Sequence, residues 1–178
     1  MVSPPPFEHS TAAVDYAYPW DSLITRFKFH GALDLAPALA HCLAAAVAGG
    51  EAPRPSLLLP VPLSTARLRE RGYNQAWELA RRLAPVLNCP ADAHLLLRVR
   101  DTPHQLALPP GQCAGNVRAA FAIEPRRSAE LPGRTVAIVD DVMTTGATAA
   151  EIARVLLQAG AAQVQVWVVA RTPRPGDA

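Results

Sequence analysis

A strand, a pair of carboxylates, a threonine-rich turn and a helix follow one another without a break between residues 136 and 158. Residues 136–139 form a short apolar run rich in β-branched side chains, which is typical of a buried strand. Residues 149–158 then repeat apolar side chains at helical spacing and stop before Gly160, a residue type that commonly ends a helix. This order favours an α/β fold whose functional turn lies at the carboxyl end of the strand.

The turn itself carries groups that suit a sugar phosphate. Asp140 and Asp141 can accept hydrogen bonds from the vicinal hydroxyls of a ribose. The turn amides and the helix N-terminus favour an anion, because unpaired N–H groups point outward and the positive end of the helix dipole lies there. The alternative is a strand-turn-helix whose Asp and Thr side chains merely cap the helix.

The run 139–148 resembles the phosphoribosyl-pyrophosphate (PRPP) motif of the type I phosphoribosyltransferases. The resemblance implies that the two aspartates bind the ribose 2′- and 3′-hydroxyls and that the following loop wraps the 5-phosphate. The PRPP-binding set that it implies is Asp140, Asp141, Val142, Met143, Thr144, Thr145, Gly146, Ala147 and Thr148.

The alternation of apolar runs with capped helical segments predicts the rest of the fold. Strands are expected near 14–18, 57–61, 94–99, 121–123, 135–139 and 164–169, and helices over 20–29, 35–47, 74–85, 114–119 and 148–158. The strands at 135–139 and 164–169, joined by the helix 148–158, form a βαβ unit with parallel strands. The predicted class is α/β, a mostly parallel open sheet with helices on both faces, as in the type I phosphoribosyltransferase fold.

Length and composition bound the organisation of the chain. Its 178 residues suffice for one domain, predicted over 14–171, with a disordered proline-rich lead-in at 1–13 and a tail at 172–178. No apolar run reaches membrane-spanning length, and the first residues lack the features of a signal peptide. A cytoplasmic protein without a membrane partner is expected.

Cysteine usage and charge argue against two classes of site. Cys42, Cys89 and Cys113 are scattered and never form a C-x-x-C pair, so neither a zinc site nor a disulfide framework is predicted. The net charge is only +2, which gives no global field for nucleic acid. We therefore expect no protein-held metal, and DNA binding that is weak and salt-sensitive at most.

A second unusual passage, residues 60–75, places three arginines near a predicted helix start. Arginine's planar fork suits the dense negative charge of a magnesium pyrophosphate, although arginines at this spacing also suit a solvated helix face. The candidate pyrophosphate-binding residues are Val61, Pro62, Arg69, Arg71, Asn74 and Gln75.

A third passage brackets a Pro-Pro-Gly loop with basic residues. Residues 101–118 have few apolar anchors and are predicted to form a flexible flap that closes over the reacting ribose and excludes water. An ordinary surface connection is the alternative. The candidate flap residues are Arg100, Gln105, Asn116 and Arg118.

Together with Phe27-Lys28-Phe29-His30-Gly31, these passages resemble the ComF family of competence-associated phosphoribosyltransferase-like proteins, which includes the GntX proteins. The resemblance covers residues 14–171. Members of the family usually carry an amino-terminal zinc ribbon, which this sequence lacks, and many have an arginine where Cys113 stands.

The resemblance implies a protein that binds PRPP or a ribose phosphate, with Mg²⁺ arriving on the pyrophosphate, and that transfers the phosphoribosyl group. The sequence contains no recognisable base-reading segment, so the acceptor is not predicted. The alternative is a non-catalytic competence or DNA-utilisation protein that uses the fold for regulation or for binding DNA-processing partners.

Overall fold

The computed structural model describes residues 4–100 and 119–173. Its strands are β1 (His9–Asp15), β2 (Leu57–Pro60), β3 (Leu96–Arg98), β4 (Phe121–Ile123), β5 (Thr135–Met143) and β6 (Gln163–Arg171). Its α-helices are α1 (Trp20–Phe29), α2 (Ala36–Ala48), α3 (Thr65–Arg71), α4 (Gln75–Leu87) and α5 (Ala147–Gln158). Short 3₁₀ helices span Leu33–Leu35 and Pro125–Glu130.

Four parallel strands form the central sheet in the order β1-β6-β5-β2. Strands β5 and β6 pair directly and α5 connects them, so the predicted βαβ unit is confirmed. The two central strands are almost continuously buried, as expected where helices cover both faces of a parallel sheet.

Each face of the sheet carries its own apolar core. On one face α5 packs Ile152 and Leu156 against Val136 and Ile138 of β5. On the other face α1, α2 and α4 pack against alternate residues of the same strands. The predicted fold class, a mostly parallel sheet with helices on both faces, is therefore confirmed.

The prediction that the strand near 94–99 joins the main sheet is wrong. β3 pairs antiparallel with β4 in a separate two-stranded sheet. The free edge of β2 is met instead by residues 90–92, because Leu58 N–H donates to Pro90 O (2.8 Å) and Asp92 N–H donates to Leu58 O (3.0 Å). The Asp92 carboxylate then accepts from the amides of His94 and Leu95 and turns the chain away from the sheet.

Several elements differ from the predicted ones. The strand expected near 14–18 is β1 at His9–Asp15, which begins inside the stretch 1–13 assigned to the lead-in, because its backbone pairs with β6 although its side chains are only partly buried. A helix, α3, occupies part of the predicted loop; the Ser64 side chain caps its start and Gly72, at φ 79°, ends it. β5 continues beyond residue 139 to Met143. Within the described residues no helix is both long and apolar enough to cross a bilayer.

Gly160 fixes the turn between α5 and β6. Its φ is +97°, its carbonyl accepts from Gly133 N–H, and a Cβ there would lie 3.3 Å from the Cα of Pro132. We expect Gly160→Ala to lower the free energy of unfolding by about 2–4 kcal/mol, since left-handed strain and overpacking both act. Urea denaturation measures this.

The matched control is Gly31→Ala. Gly31 also has a positive φ of +65°, but nothing lies within 4 Å of the added Cβ. This substitution should cost only about 1–2 kcal/mol, the backbone strain alone. Equal losses in the two variants would contradict the contact with Pro132 as a source of the extra cost.

Candidate functional site

The two aspartates of the turn lie inside β5 rather than after it. Asp140 pairs with Val168 of β6 and Val142 with Ala170, so the ladder extends past both carboxylates. Successive side chains of a strand point to opposite faces of the sheet. Asp140 and Asp141 therefore occupy different environments, which the sequence alone did not separate.

Asp141 is buried, with 4% of its surface exposed, and is paired with a cation from α1. Lys28 Nζ lies 3.0 Å from Asp141 Oδ2 and 3.3 Å from Oδ1. Oδ1 also accepts from Val142 N–H at 2.9 Å, whereas Oδ2 receives no hydrogen bond of good geometry from the described residues. The ion pair offsets the cost of burying this carboxylate, and Oδ2 keeps acceptor capacity for another donor.

Asp140 is partly buried, and its Oδ1 accepts the Asp141 N–H at 2.9 Å. Burial of the carboxyl group, and then the negative charge of Asp141, raise the pKa of Asp140 to about 8, while the charge of Lys28 opposes the shift. Adjacent carboxylates rarely both ionise without compensation. The pair therefore carries less than two full charges near neutral pH in the absence of a ligand.

The phosphate side of the site is the turn 144–146 and the start of α5. Thr144 and Thr145 are exposed, and Gly146 adopts φ 76° as the residue before the helix. Thr145 Oγ1 accepts from Ala147 N–H at 3.3 Å, but the N-cap residue gives α5 no side-chain cap. N–H groups of the first helical turn remain directed outward, which suits an anion. The helix begins at Ala147, so Ala147 and Thr148 belong to that turn.

The segment 71–73 contacts the end of α1, the helix that carries Lys28. Tyr73 Oη donates to the carbonyl of Phe27, and the guanidinium of Arg71 lies 4.9 Å from the centre of the Phe29 ring. Burial lowers the pKa of Arg71, and the negative charge of Asp141 opposes that shift, which places the two groups within electrostatic reach. Residues far apart in the sequence thus converge on Asp141.

The other predicted pyrophosphate residues have mixed surroundings. Val61 is buried; its N–H donates to Val139 O (2.9 Å), which ties this loop to β5 just before the aspartates. Both polar atoms of the Asn74 amide have partners inside the protein: Nδ2 donates to Val61 O and Oδ1 accepts from Trp77 N–H. Gln75 is 2% exposed, and its Oε1 lacks a donor among the described residues.

Pro62 is half-buried and Arg69 is exposed on α3, whereas Arg71 is partly buried and lies within electrostatic reach of Asp141. Of the flap candidates, Gln105, Asn116 and Arg118 lie outside the described residues. Arg100 is described, and its carbonyl accepts from Arg98 Nε at 3.2 Å.

Lys28 is the site residue that the motif analysis missed. It is the only lysine among seventeen basic residues, and it stands in the Phe27–Gly31 run that carries the family resemblance. The run indicates the family, but nothing in it predicts that Lys28 pairs with Asp141. Across residues 4–100 and 119–173, no group of three or more His, Cys, Asp or Glu side chains is arranged to hold a metal ion.

The raised pKa of Asp140 generates a prediction on stability. Because the folded pKa of about 8 exceeds the unfolded value of about 3.9, the native state binds more protons between these values. The free energy of unfolding should therefore fall as pH rises from about 5 to about 8, and Asp140→Asn should flatten that fall. Urea titrations across this range measure the slope.

Asp92→Asn is the control for that experiment. Hydrogen bonds from Arg127 lower the pKa of Asp92. Asp92 is then ionised in both states above about pH 5, so its loss should reduce stability without changing the slope. A slope equal in the wild type and in Asp140→Asn would contradict the environment described for Asp140.

Comparison with known proteins identifies the family of the chain. A family model described as a phosphoribosyl transferase domain matches residues 73–177. The DNA utilization protein YhgH of Salmonella typhi is 38% identical over 176 residues, which cover 97% of this chain and 76% of that protein. Competence protein F of Haemophilus influenzae is 37% identical over 160 residues, 88% of this chain and 69% of its own length.

Among solved structures, the chain is similar to glutamine PRPP amidotransferase from B. subtilis at a TM-score of 0.48 and 19% identity, covering 80% of this chain and 30% of that one. The matched family segment and the two sequence relatives, which cover most of the chain, show its family. The chain belongs to the ComF family, with a type I phosphoribosyltransferase-like domain.

Proposed function

We propose that this protein binds PRPP or a ribose 5-phosphate through residues 140–148 and acts as a Mg²⁺-dependent phosphoribosyltransferase. One observation carries the proposal. Two carboxylates, one of them paired with Lys28, lie near the carboxyl end of a buried strand, a few residues before a helix N-terminus that has no side-chain cap from its N-cap residue. This arrangement offers hydroxyl acceptors and an anion site a few residues apart.

Each part of the chain would have a distinct role. Asp140 and Asp141 accept from the ribose hydroxyls and fix the ring; the buried Oδ2 of Asp141, which lacks a well-formed hydrogen bond, fits a hydroxyl donor. The 5-phosphate binds at the turn of Thr144, Thr145 and Gly146. Val142 and Met143 precede this turn, and Ala147 and Thr148 follow it. Arg71, which lies within electrostatic reach of Asp141, would supply positive charge to the leaving pyrophosphate.

Phosphoribosyl transfer builds positive charge on the anomeric carbon as the pyrophosphate departs. The contribution of the protein is then mainly positioning and electrostatic stabilisation, which need no general base when the acceptor is a nucleobase nitrogen. Mg²⁺ would neutralise charge on the leaving pyrophosphate. Phosphate oxygens and water would supply most of its ligands, as Mg²⁺ prefers.

A second candidate function is favoured by the names of the relatives, a DNA utilization protein and a competence protein. In that role the same pocket would bind a nucleotide or PRPP as a regulatory ligand, and the protein would act with DNA-processing partners without catalysis. Product formation separates the two functions, because both require ligand binding.

Calorimetric titration with PRPP and Mg²⁺ tests the binding. Asp140→Asn should weaken PRPP by about 1.5–3 kcal/mol, the usual value of a hydrogen bond to a charged group. Glu130→Gln is the matched control, because Glu130 pairs with Arg127 before the amino end of β5, away from the turn. Wild-type protein that binds neither PRPP nor ribose 5-phosphate would contradict the proposal.

Thr145→Val tests the phosphate side separately. This variant should weaken ribose 5-phosphate as well as PRPP, because the hydroxyl of Thr145 lies at the helix start where the phosphate would bind. Pyrophosphate release from PRPP, measured with purine and pyrimidine bases in turn, then reports catalysis. Tight PRPP binding without release by any base would favour the regulatory role.

A further inference from the structure

The carboxylate Asp141 depends on a helix that the matched family segment does not contain. That segment begins at residue 73, whereas Lys28 lies at the end of α1. Lys28 Nζ lies 3.0 Å from Oδ2 and 3.3 Å from Oδ1 of Asp141, 113 positions along the chain. A cation that approaches both oxygens restricts rotation of the carboxylate about its own axis.

The end of α1 is itself held in place. Phe27 is fully buried in the core, and its carbonyl accepts from Tyr73 Oη. On the other side of Lys28 in the sequence, the ring of Phe29 lies beneath the guanidinium of Arg71. Lys28 therefore extends from a backbone that the buried Phe27 anchors in the core, so its ammonium group is presented to Asp141 by the fold.

The burial of the two partners argues that the ion pair has a cost as well as a benefit. The side chain of Asp141 is 6% exposed and that of Lys28 is 28% exposed. A partly buried ion pair gives little net stability compared with apolar packing, but removing one partner leaves a charge in a poor solvent. The ion pair therefore adds little to the stability of the fold. Its clear benefit is that it holds the Asp141 carboxylate in one orientation.

The remaining contacts define that orientation. Oδ1 accepts from the Val142 amide and from Lys28, while Oδ2 is shielded from solvent, lies 3.0 Å from Lys28 Nζ and receives no fully formed hydrogen bond from the described residues. Without Lys28, only the backbone contact would hold the carboxylate. The oxygen that remains for a hydroxyl would then lose its fixed direction.

We propose that Lys28 is a positioning residue for ribose recognition, acting through Asp141 and not by touching the substrate. The role rests on the proposed binding of PRPP, because only a bound ribose presents hydroxyls for Asp141 to accept. It extends the site beyond the domain that the family model matches, to a side chain of α1.

A double-mutant cycle on the full chain tests the role. Ribose 5-phosphate affinity is measured calorimetrically for wild type, Lys28→Met, Asp141→Asn and the double variant, with Lys28→Arg as the conservative replacement. Arg26→Met is the matched control, because Arg26 is an exposed cation of the same helix. Circular dichroism melting of each variant establishes that it is folded at the titration temperature.

Lys28→Met should weaken ribose 5-phosphate about tenfold, within the range for residues that share one polar network. In the Asp141→Asn background the same change should alter affinity by less than about twofold, because the group that Lys28 orients is already altered. Lys28→Arg should recover part of the loss, and Arg26→Met should bind as the wild type does.

Three results would overturn the role. An unchanged affinity in Lys28→Met would remove it outright, while wild-type binding would leave the proposed function intact. An undiminished loss in the Asp141→Asn background would mean that Lys28 contacts the ligand directly. Failure of the wild type to bind either PRPP or ribose 5-phosphate would contradict the proposed function and this role together.

Discussion

The parallel pairing of β5 with strands on both sides is the constraint on which the site depends. β5 is hydrogen-bonded to β2 and to β6, and residues 136–139 are fully buried between the two helical layers. The same ladder carries the chain outward until Asp140 and Asp141 reach the carboxyl edge of the sheet. Ligands bind at this edge in open α/β sheets, so the core that stabilises the fold also places the carboxylates.

Placing two carboxylates in succession on a buried strand creates an electrostatic problem, and the structure meets it with neighbouring charge. Asp141 gains an ion pair with Lys28 and lies within reach of the charge of Arg71. Asp140 instead retains its proton more readily, since burial and then Asp141 raise its pKa. A ligand that brings hydrogen-bond donors to the pair would offset part of this electrostatic cost.

Sequence patterns predicted the elements whose signals are local. The run 135–139, the capped helix at 74 and the βαβ unit all follow from apolar spacing and from N-cap chemistry, and the structure has them. Periodicity cannot tell which sheet a strand joins. The strand near 94–99 was therefore placed wrongly: its assignment depends on the Asp92 carboxylate turning the chain after residue 91.

The site residues likewise divide into those that a local motif identifies and those that only the folded chain brings together. The aspartates and the threonine turn are contiguous, so a motif could identify them, although alternation along an extended β5 is what separates Asp140 from Asp141. The Lys28 contact joins residues 113 positions apart and depends on the packing of Phe27 and Phe29, which no local pattern encodes. The fold supplies a strand end and a helix start in a fixed order, as many α/β proteins do. In this chain a separate helix, α1, also reaches that edge and presents Lys28 to Asp141, so chemistry at the site can be adjusted from α1 without altering the sheet.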